Sequence, residues 1–140
     1  MKIKLLDKNC MPYKKYQNDA GLDLRARIDG EIRFYPNMRM TIPTGVCVEI
    51  MPGLVGDIRP RSGLVKDLGL VAQYGTIDAG YTGEIGVTLI NLSTQHVTIQ
   101  PYERIAQLVI HPILIPEIEI VDDLEETDRG DKGFGSTGIK

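Results

Sequence analysis

Gly75-Thr76-Ile77-Asp78-Ala79-Gly80-Tyr81-Thr82-Gly83-Glu84-Ile85-Gly86-Val87-Thr88-Leu89-Ile90-Asn91 is the stretch whose reading decides the fold class. Ile85, Val87 and Leu89 alternate with Glu84, Gly86 and Thr88, the two-residue period of a strand. Gly80 and Gly83 supply the backbone angles of a turn. The stretch reads as a β-hairpin, with Asp78 where its first strand ends and Tyr81 on its tip. A carboxylate and a ring presented together on a rigid hairpin can hold a small molecule and activate water beside it. The plain structural reading stands next to that one: Asp caps turns, and Tyr covers strand edges. On this stretch alone the structural reading is the stronger.

Working outward, the same period recurs along the chain. Lys2 to Leu6 alternates, as does Ala20 to Ala26, where Leu22 and Leu24 share one face and Asp23 and Arg25 the other. Glu31 to Tyr35, Met40 to Pro43, Val46 to Ile50, Thr94 to Ile99 and Ile105 to Ile110 are further short strands. The loop from Asn9 to Asp19 contains Pro12, and Pro36-Asn37, Pro52-Gly53 and Pro101 to Arg104 mark turns. Ile118, Ile120 and Val121 make a last strand-like run. Lys66 to Gly69 has room for one helical turn, and no long stretch shows a 3.6-residue period. With 15 Gly and 8 Pro punctuating 140 residues rich in Ile and Val, an all-β single domain is expected.

Composition excludes several classes. The net charge of −3 argues against a general nucleic-acid binder, so an anionic ligand must be met by a few placed arginines, backbone N–H groups or a metal ion. Cys10 and Cys47 lack metal-ligand spacing and read as free thiols of a reducing compartment. Residues 1–8 lack an apolar signal core, and no run is long enough to span a membrane; a cytoplasmic or otherwise intracellular protein with no membrane partner is expected.

Other residues invite a chemical reading beside a plain one. Asp23 is either an exposed strand residue paired to a cross-strand cation or a carboxylate turned toward a metal's water shell. Arg61-Ser62-Gly63 follows a strand and is either an ordinary turn or an anion-binding concavity of N–H groups and the Ser62 hydroxyl. Gln107, within an apolar run, must satisfy its amide or face an opening. His111, before Pro112, has no obvious partner and reads as a strand-end residue. Beyond Asp122 the chain turns acidic, then glycine-rich. It has too little apolar surface to fold alone, yet Phe134 lies between glycines, and Arg129, Ser136 and Thr137 are phosphate-binding types.

Five stretches, Ala20–Ala26, Pro60–Val65, Gly75–Asn91, Glu103–Val109 and Arg129–Gly138, resemble the five ordered motifs of the trimeric dUTPase family. The resemblance implies a jelly-roll-like β-clip subunit over residues 1–121. It also implies an arm over 122–140 that closes an active site of a neighbouring subunit in a homotrimer. The family's reaction is hydrolysis of dUTP to dUMP and pyrophosphate with Mg²⁺, which limits uracil incorporation into DNA and supplies dUMP for thymidylate synthesis. Carried over, Asp78 activates the attacking water and meets the 3′-hydroxyl, and Tyr81 packs where a 2′-hydroxyl would lie. Gly75, Thr76, Ile77 and Gly86 present backbone to the uracil edge. Arg61, Ser62, Gly63, Gln107 and Arg104 hold phosphates. Asp23 meets Mg²⁺ through water, and Phe134 stacks on the base. Arg129, Gly135, Ser136 and Thr137 clamp the terminal phosphates. Ala72 stands where several relatives carry an asparagine near the base.

Two alternatives share the fold. A dCTP deaminase needs a glutamate proton shuttle in the second hairpin strand, where this chain has Thr88. A non-catalytic nucleotide-sensing module would be expected to lack residues such as Asp78, Tyr81, Ser62, Gln107 and Phe134, which are all present.

Overall fold

Alternating branched apolar and polar residues become ten strands in the computed structural model, which describes residues 1–131. In chain order these are β1 (Lys2–Leu5), β2 (Gly21–Arg25), β3 (Ile32–Phe34), β4 (Arg39–Glu49), β5 (Leu54–Arg59), β6 (Leu70–Ala72), β7 (Gly75–Ile77), β8 (Glu84–Asn91), β9 (Val97–Ile99) and β10 (Arg104–Pro112). Helical structure among the described residues is confined to a 3₁₀ turn at Lys8–Cys10 and a π-type turn at Leu64–Leu68 with Ser62 and Gly63 helical just ahead of it. Gly69 ends the second turn with φ of 65°, and its N–H bonds back to the Leu64 and Val65 carbonyls. No helix among the described residues is long and apolar enough to cross a membrane.

All pairings are antiparallel. One sheet runs β1-β4-β8-β6, a second runs β2-β10-β5-β7, and β3 pairs with β9 alone. This is the jelly-roll-like β-clip architecture expected from the sequence. The inner faces of both large sheets supply the core: Leu24, Ile58, Ile105 and Leu108 from one, Ile42, Val46, Leu70, Ile85 and Leu89 from the other, with Phe34 and Ile99 from the small ribbon. Each such side chain contributes roughly 1.5–3 kcal/mol on burial. Along β8 the alternation is literal: Ile85, Val87 and Leu89 are buried and Gly86 is exposed. Cys10 and Cys47 are both free and buried.

The structure corrects four expectations. First, Gly75–Asn91 is not a hairpin of two paired strands: β7 pairs with β5 in the second sheet, while β8 lies between β4 and β6 in the first. Each arm finds a ladder with a strand distant in sequence, which a local pattern does not reveal. Second, residues 40–43 and 46–50 do not form separate strands. A bulge between Pro43 and Cys47 absorbs the Pro-Thr-Gly interruption within the single strand β4. Third, the run at 118–121 is no strand. After the Ile113 N–H bonds the Gly53 carbonyl at 3.0 Å, residues 113–131 leave the sheets, and Leu114, Ile118, Ile120 and Leu124 are almost wholly exposed. Alternation alone does not make a strand: residues 118–121 pair with no strand among the described residues, although edges such as that of β7 are free. Fourth, His111 has a neighbour: its Nδ1 stands 3.5 Å from Asp57 Oδ2.

Asn91 is the buried polar residue that closes the end of β8. Its Nδ2 donates to the carbonyls of Phe34 (2.9 Å) and Gln95 (2.8 Å), and its Oδ1 accepts from the Ser93 N–H (2.9 Å) and hydroxyl (2.8 Å). Replacement by alanine strands those partners, so Asn91→Ala is expected to lower unfolding stability by about 2–4 kcal/mol, read from urea denaturation. A loss below about 0.5 kcal/mol, the usual range of surface substitutions, would contradict this role.

Candidate functional site

The arms of the 72–91 segment start as neighbours and then part. Ala72 pairs with Leu89, and the Gln73 N–H bonds the Thr88 carbonyl at 2.8 Å. Beyond that bond β7 goes to β5, where it is the outermost strand of its sheet, and the pairing of β8 with β6 stops. The bend therefore leaves unpaired backbone along Gly75–Ile77 and along the start of β8, including Gly86. Backbone N–H and C=O groups left in this way are open to water or to a ligand with its own donors and acceptors. Ala72 does not enter this slot, because its side chain is buried in the core.

Both arms are anchored. On the first, the Tyr74 hydroxyl donates to Asp57 Oδ2 at 2.5 Å, and Arg59 reaches the same oxygen at 3.1 Å. These bonds, the tyrosine's foremost, hold the Asp57 carboxyl below its usual range. On the second, Glu84 is clasped by Arg27. At the tip, the Tyr81 N–H closes a turn onto the Asp78 carbonyl at 3.1 Å, with Gly80 at φ of 95°. The Asp78 carboxylate is exposed and has no hydrogen-bond or ion-pair partner among the described residues. It is open to water and ligand. The Tyr81 ring lies on the surface with its hydroxyl on the Glu84 carbonyl at 2.9 Å.

A second cluster forms where β2 meets β10. Asp23 and Gln107 are register partners. Asp23 accepts from Arg61 Nε at 3.1 Å and from an Arg104 terminal nitrogen at 3.0 Å, one arginine per carboxylate oxygen. Arg61 also donates to the Arg104 carbonyl at 2.9 Å, and the Arg104 guanidinium lies 4.8 Å from the centre of the Tyr13 ring. Of the two readings of Asp23, the ion-paired one is thus realised, with two partners. Gln107 Nε2 donates to the Pro60 carbonyl at 3.0 Å and faces an open groove of about 260 Å³ lined by Tyr13, Lys15, Asp19 and Asp23.

Ser62 and Gly63 are exposed at the start of the turn that continues through Leu64–Leu68, whose first backbone bond runs from the Val65 N–H to the Arg61 carbonyl. The N–H groups ahead of Val65 point outward unclaimed by the turn. Gly63 has ordinary helical angles, and a Cβ there would meet only Asp67 Oδ2 at 4.0 Å. Nothing in the folded chain requires glycine at 63, so its lack of a side chain leaves those N–H groups open to close approach.

The structure thus brings Asp23, Arg61, Arg104 and Gln107 together, with Ser62 and Gly63 adjoining them in sequence. It places Asp78, Tyr81, Gly75, Thr76, Ile77 and Gly86 around the bend. No hydrogen bond or ion pair joins the two groups among the described residues. Arg129 is described and exposed, beside a turn at Gly130; Phe134, Gly135, Ser136 and Thr137 lie outside the described residues. No cluster of three histidine, cysteine or acidic side chains is positioned to hold a metal among the described residues. Sequence reasoning missed Arg27, Tyr74 and Asp57. Their partners lie 57 and 17 positions away, and only the unexplained acid at Asp57, inside a strand of the core, gave any signal.

Residues 7–138 match the family model described as dUTPase. A deoxyuridine 5′-triphosphate nucleotidohydrolase of Anaeromyxobacter sp. is 48% identical over 128 residues, covering 89% of this chain and 86% of that protein. A variant of the Staphylococcus bacteriophage 80alpha dUTPase, solved with dUpNHpp, superposes with a TM-score of 0.85 at 34% identity, covering 99% of this chain and 98% of that one. A mutant of the dUTPase of S. aureus phage phi11, in which the coordination of a structural Mg(II) ion is described, gives 0.80 at 29% identity over 89% and 98% of the two chains.

A Cβ at Gly21 would overlap Gln107 Oε1. Gly21→Ala is therefore expected to push the Gln107 amide off Pro60 and weaken inorganic triphosphate binding about tenfold or more, the weight of a hydrogen bond to a charged group. Isothermal titration calorimetry checks this, and an unchanged affinity would contradict the placement of Gln107 in an anion site.

Proposed function

The chain belongs to the dUTPase family and hydrolyses dUTP, and we propose that Asp78 is its general base in a site assembled from more than one copy of the chain. Water attacks the α-phosphorus as its proton passes to Asp78. The bond from that phosphorus to the bridging oxygen breaks, releasing dUMP and pyrophosphate. General-base help of this kind supplies about 10²–10⁴-fold in rate. Asp78 also meets the deoxyribose 3′-hydroxyl, and the Tyr81 ring covers the sugar where a 2′-hydroxyl would project. Uracil lies in the slot between the arms, paired to backbone at Gly75, Thr76, Ile77 and Gly86. The observation that carries this reading is the bend itself: a free carboxylate and a ring stand at the mouth of an unpaired backbone slot.

The phosphates fall to Arg61, Ser62, Gly63, Arg104 and Gln107. Asp23 positions both arginines and, with one lone pair left on each oxygen, can also accept from a metal-bound water. This donor set fits a Mg²⁺ ion carried mainly by the triphosphate, as hard cations that retain their waters are bound. Bound so, the ion would orient the phosphate chain and neutralise charge on the leaving pyrophosphate.

Homotrimer formation is part of the proposal. It is supported by the two groups of site residues standing apart within one chain and by the apolar run from Leu114 to Leu124 that the chain leaves uncovered. The arm beyond residue 121 then closes a neighbour's site, with Phe134 on the base and Arg129, Gly135, Ser136 and Thr137 on the terminal phosphates. Deaminase chemistry lacks a shuttle. Thr88 Oγ1 is bonded to Thr41 Oγ1 at 2.8 Å, and the Glu84 carboxylate is held below the usual range by its bonds to Arg27.

Product analysis with Mg²⁺ and dUTP, dCTP, dTTP or UTP tests the reading. Pyrophosphate is expected from dUTP alone, and Asp78→Asn is expected to bind dUTP while losing about 10²–10⁴-fold in turnover. Ammonia from dCTP would overturn the substrate assignment, and near-normal turnover in Asp78→Asn would remove Asp78 as base.

A further inference from the structure

The Glu84 carboxylate gathers three segments of chain at the root of the bend. Arg27 grips it with two parallel bonds, Nε to Oε1 at 2.9 Å and a terminal nitrogen to Oε2 at 2.8 Å. The Gly45 N–H donates to Oε1 at 2.7 Å. Gly45 lies in the β4 bulge at φ of 69°, where the N–H has left the strand ladder, so Glu84 satisfies a donor the bulge would otherwise orphan. Arg27 is itself fixed, its N–H bonding the Pro43 carbonyl at 2.8 Å on the other flank of the bulge. The acid that opens β8 is therefore held by the crossing that follows β2 and by the middle of β4.

From this same residue the backbone carbonyl accepts the Tyr81 hydroxyl. The ring has room to lie there because position 83 is glycine: a Cβ would stand 2.6 Å from the Tyr81 oxygen. Tyr81 is otherwise exposed, so its plane is set at one end by the turn and at the other by Glu84. Rejecting one added hydroxyl by shape is weak, about 10²-fold even in a well-formed pocket. It weakens further if the rejecting wall can swing, because a site needs its groups held to about 0.5 Å.

We propose that Arg27 and Glu84 are positioning residues for Tyr81, and that their ion pair sets the discrimination between deoxyribo- and ribonucleoside triphosphates. The inference rests on the preceding reading of Tyr81 as the wall beside the sugar. Neither residue touches the nucleotide. They act through the Glu84 carbonyl and the tyrosine hydroxyl. Lysine cannot replace Arg27 fully, because it offers a point charge where the carboxylate is held by a planar fork.

The test is the ratio of kcat/KM for dUTP over UTP, with Mg²⁺, in wild type, Arg27→Met, Arg27→Lys, Glu84→Gln and Tyr81→Phe, each checked for its melting temperature. Arg27→Met is expected to lower the ratio about tenfold, mainly by gain on UTP, with kcat for dUTP kept within a few-fold. Arg27→Lys should fall between it and wild type. Tyr81→Phe, which removes only the tethering hydroxyl, should shift the ratio the same way, and combining it with Arg27→Met should add little. A folded Arg27→Met enzyme with the wild-type ratio would overturn the proposal. So would Tyr81→Phe with the wild-type ratio, a measurement that decides the matter even if Arg27→Met fails to fold. A wild-type protein that leaves dUTP intact would instead remove the functional reading beneath it.

Discussion

The ladder between the arms of the 72–91 segment ends at the bond from the Gln73 N–H to the Thr88 carbonyl, and the functional geometry depends on its ending there. Had the arms stayed paired, their backbone groups would satisfy one another and no slot would exist. They part because the first arm turns away to pair with β5, while β8 keeps β4 along its other edge throughout. The resulting free edges are costly to bury without partners, and in the proposed site the base edge would supply those partners. The Asp57–Tyr74 bond anchors the first arm where it leaves the ladder, and the Glu84–Arg27 pair anchors the second just after the turn.

Electrostatics divides along the same line. The chain as a whole carries −3, so attraction for a polyanion must be local. In the proposed site Arg61 and Arg104 would supply it, and Asp23 bonds both guanidinium groups, one on each carboxylate oxygen. Asp78 stands apart from them.

The local signals in the sequence translated directly. The alternation along Glu84–Leu89 became the burial pattern of β8, and Gly80 took the positive φ its turn position asked for, whereas Gly83 did not and instead leaves room for the Tyr81 ring. Asp23, read as either paired or metal-facing, proved to be paired, and Gln107 both bonds a carbonyl and faces an opening. Non-local partners were illegible. Nothing in Gly75–Asn91 says that its arms choose different sheets, and nothing near Glu84 names Arg27. The Pro-Thr-Gly run in β4 looked like a break because bulge and turn use the same residue types. Ile118 to Val121 has the period of a strand, but the pattern alone does not supply an edge for it to pair with.

The central claim, that Asp78 of one chain works with the arginines of another, is tested most directly by co-expressing two differently tagged chains, one carrying Asp78→Asn and the other Arg61→Met. Each homogeneous assembly should be nearly inactive, whereas tandem-purified mixed assemblies should hydrolyse dUTP well above the sum of the two, because some sites then combine an intact Asp78 with an intact Arg61. Mixed assemblies no more active than their parents would place both residues in a site built from a single chain and contradict the account.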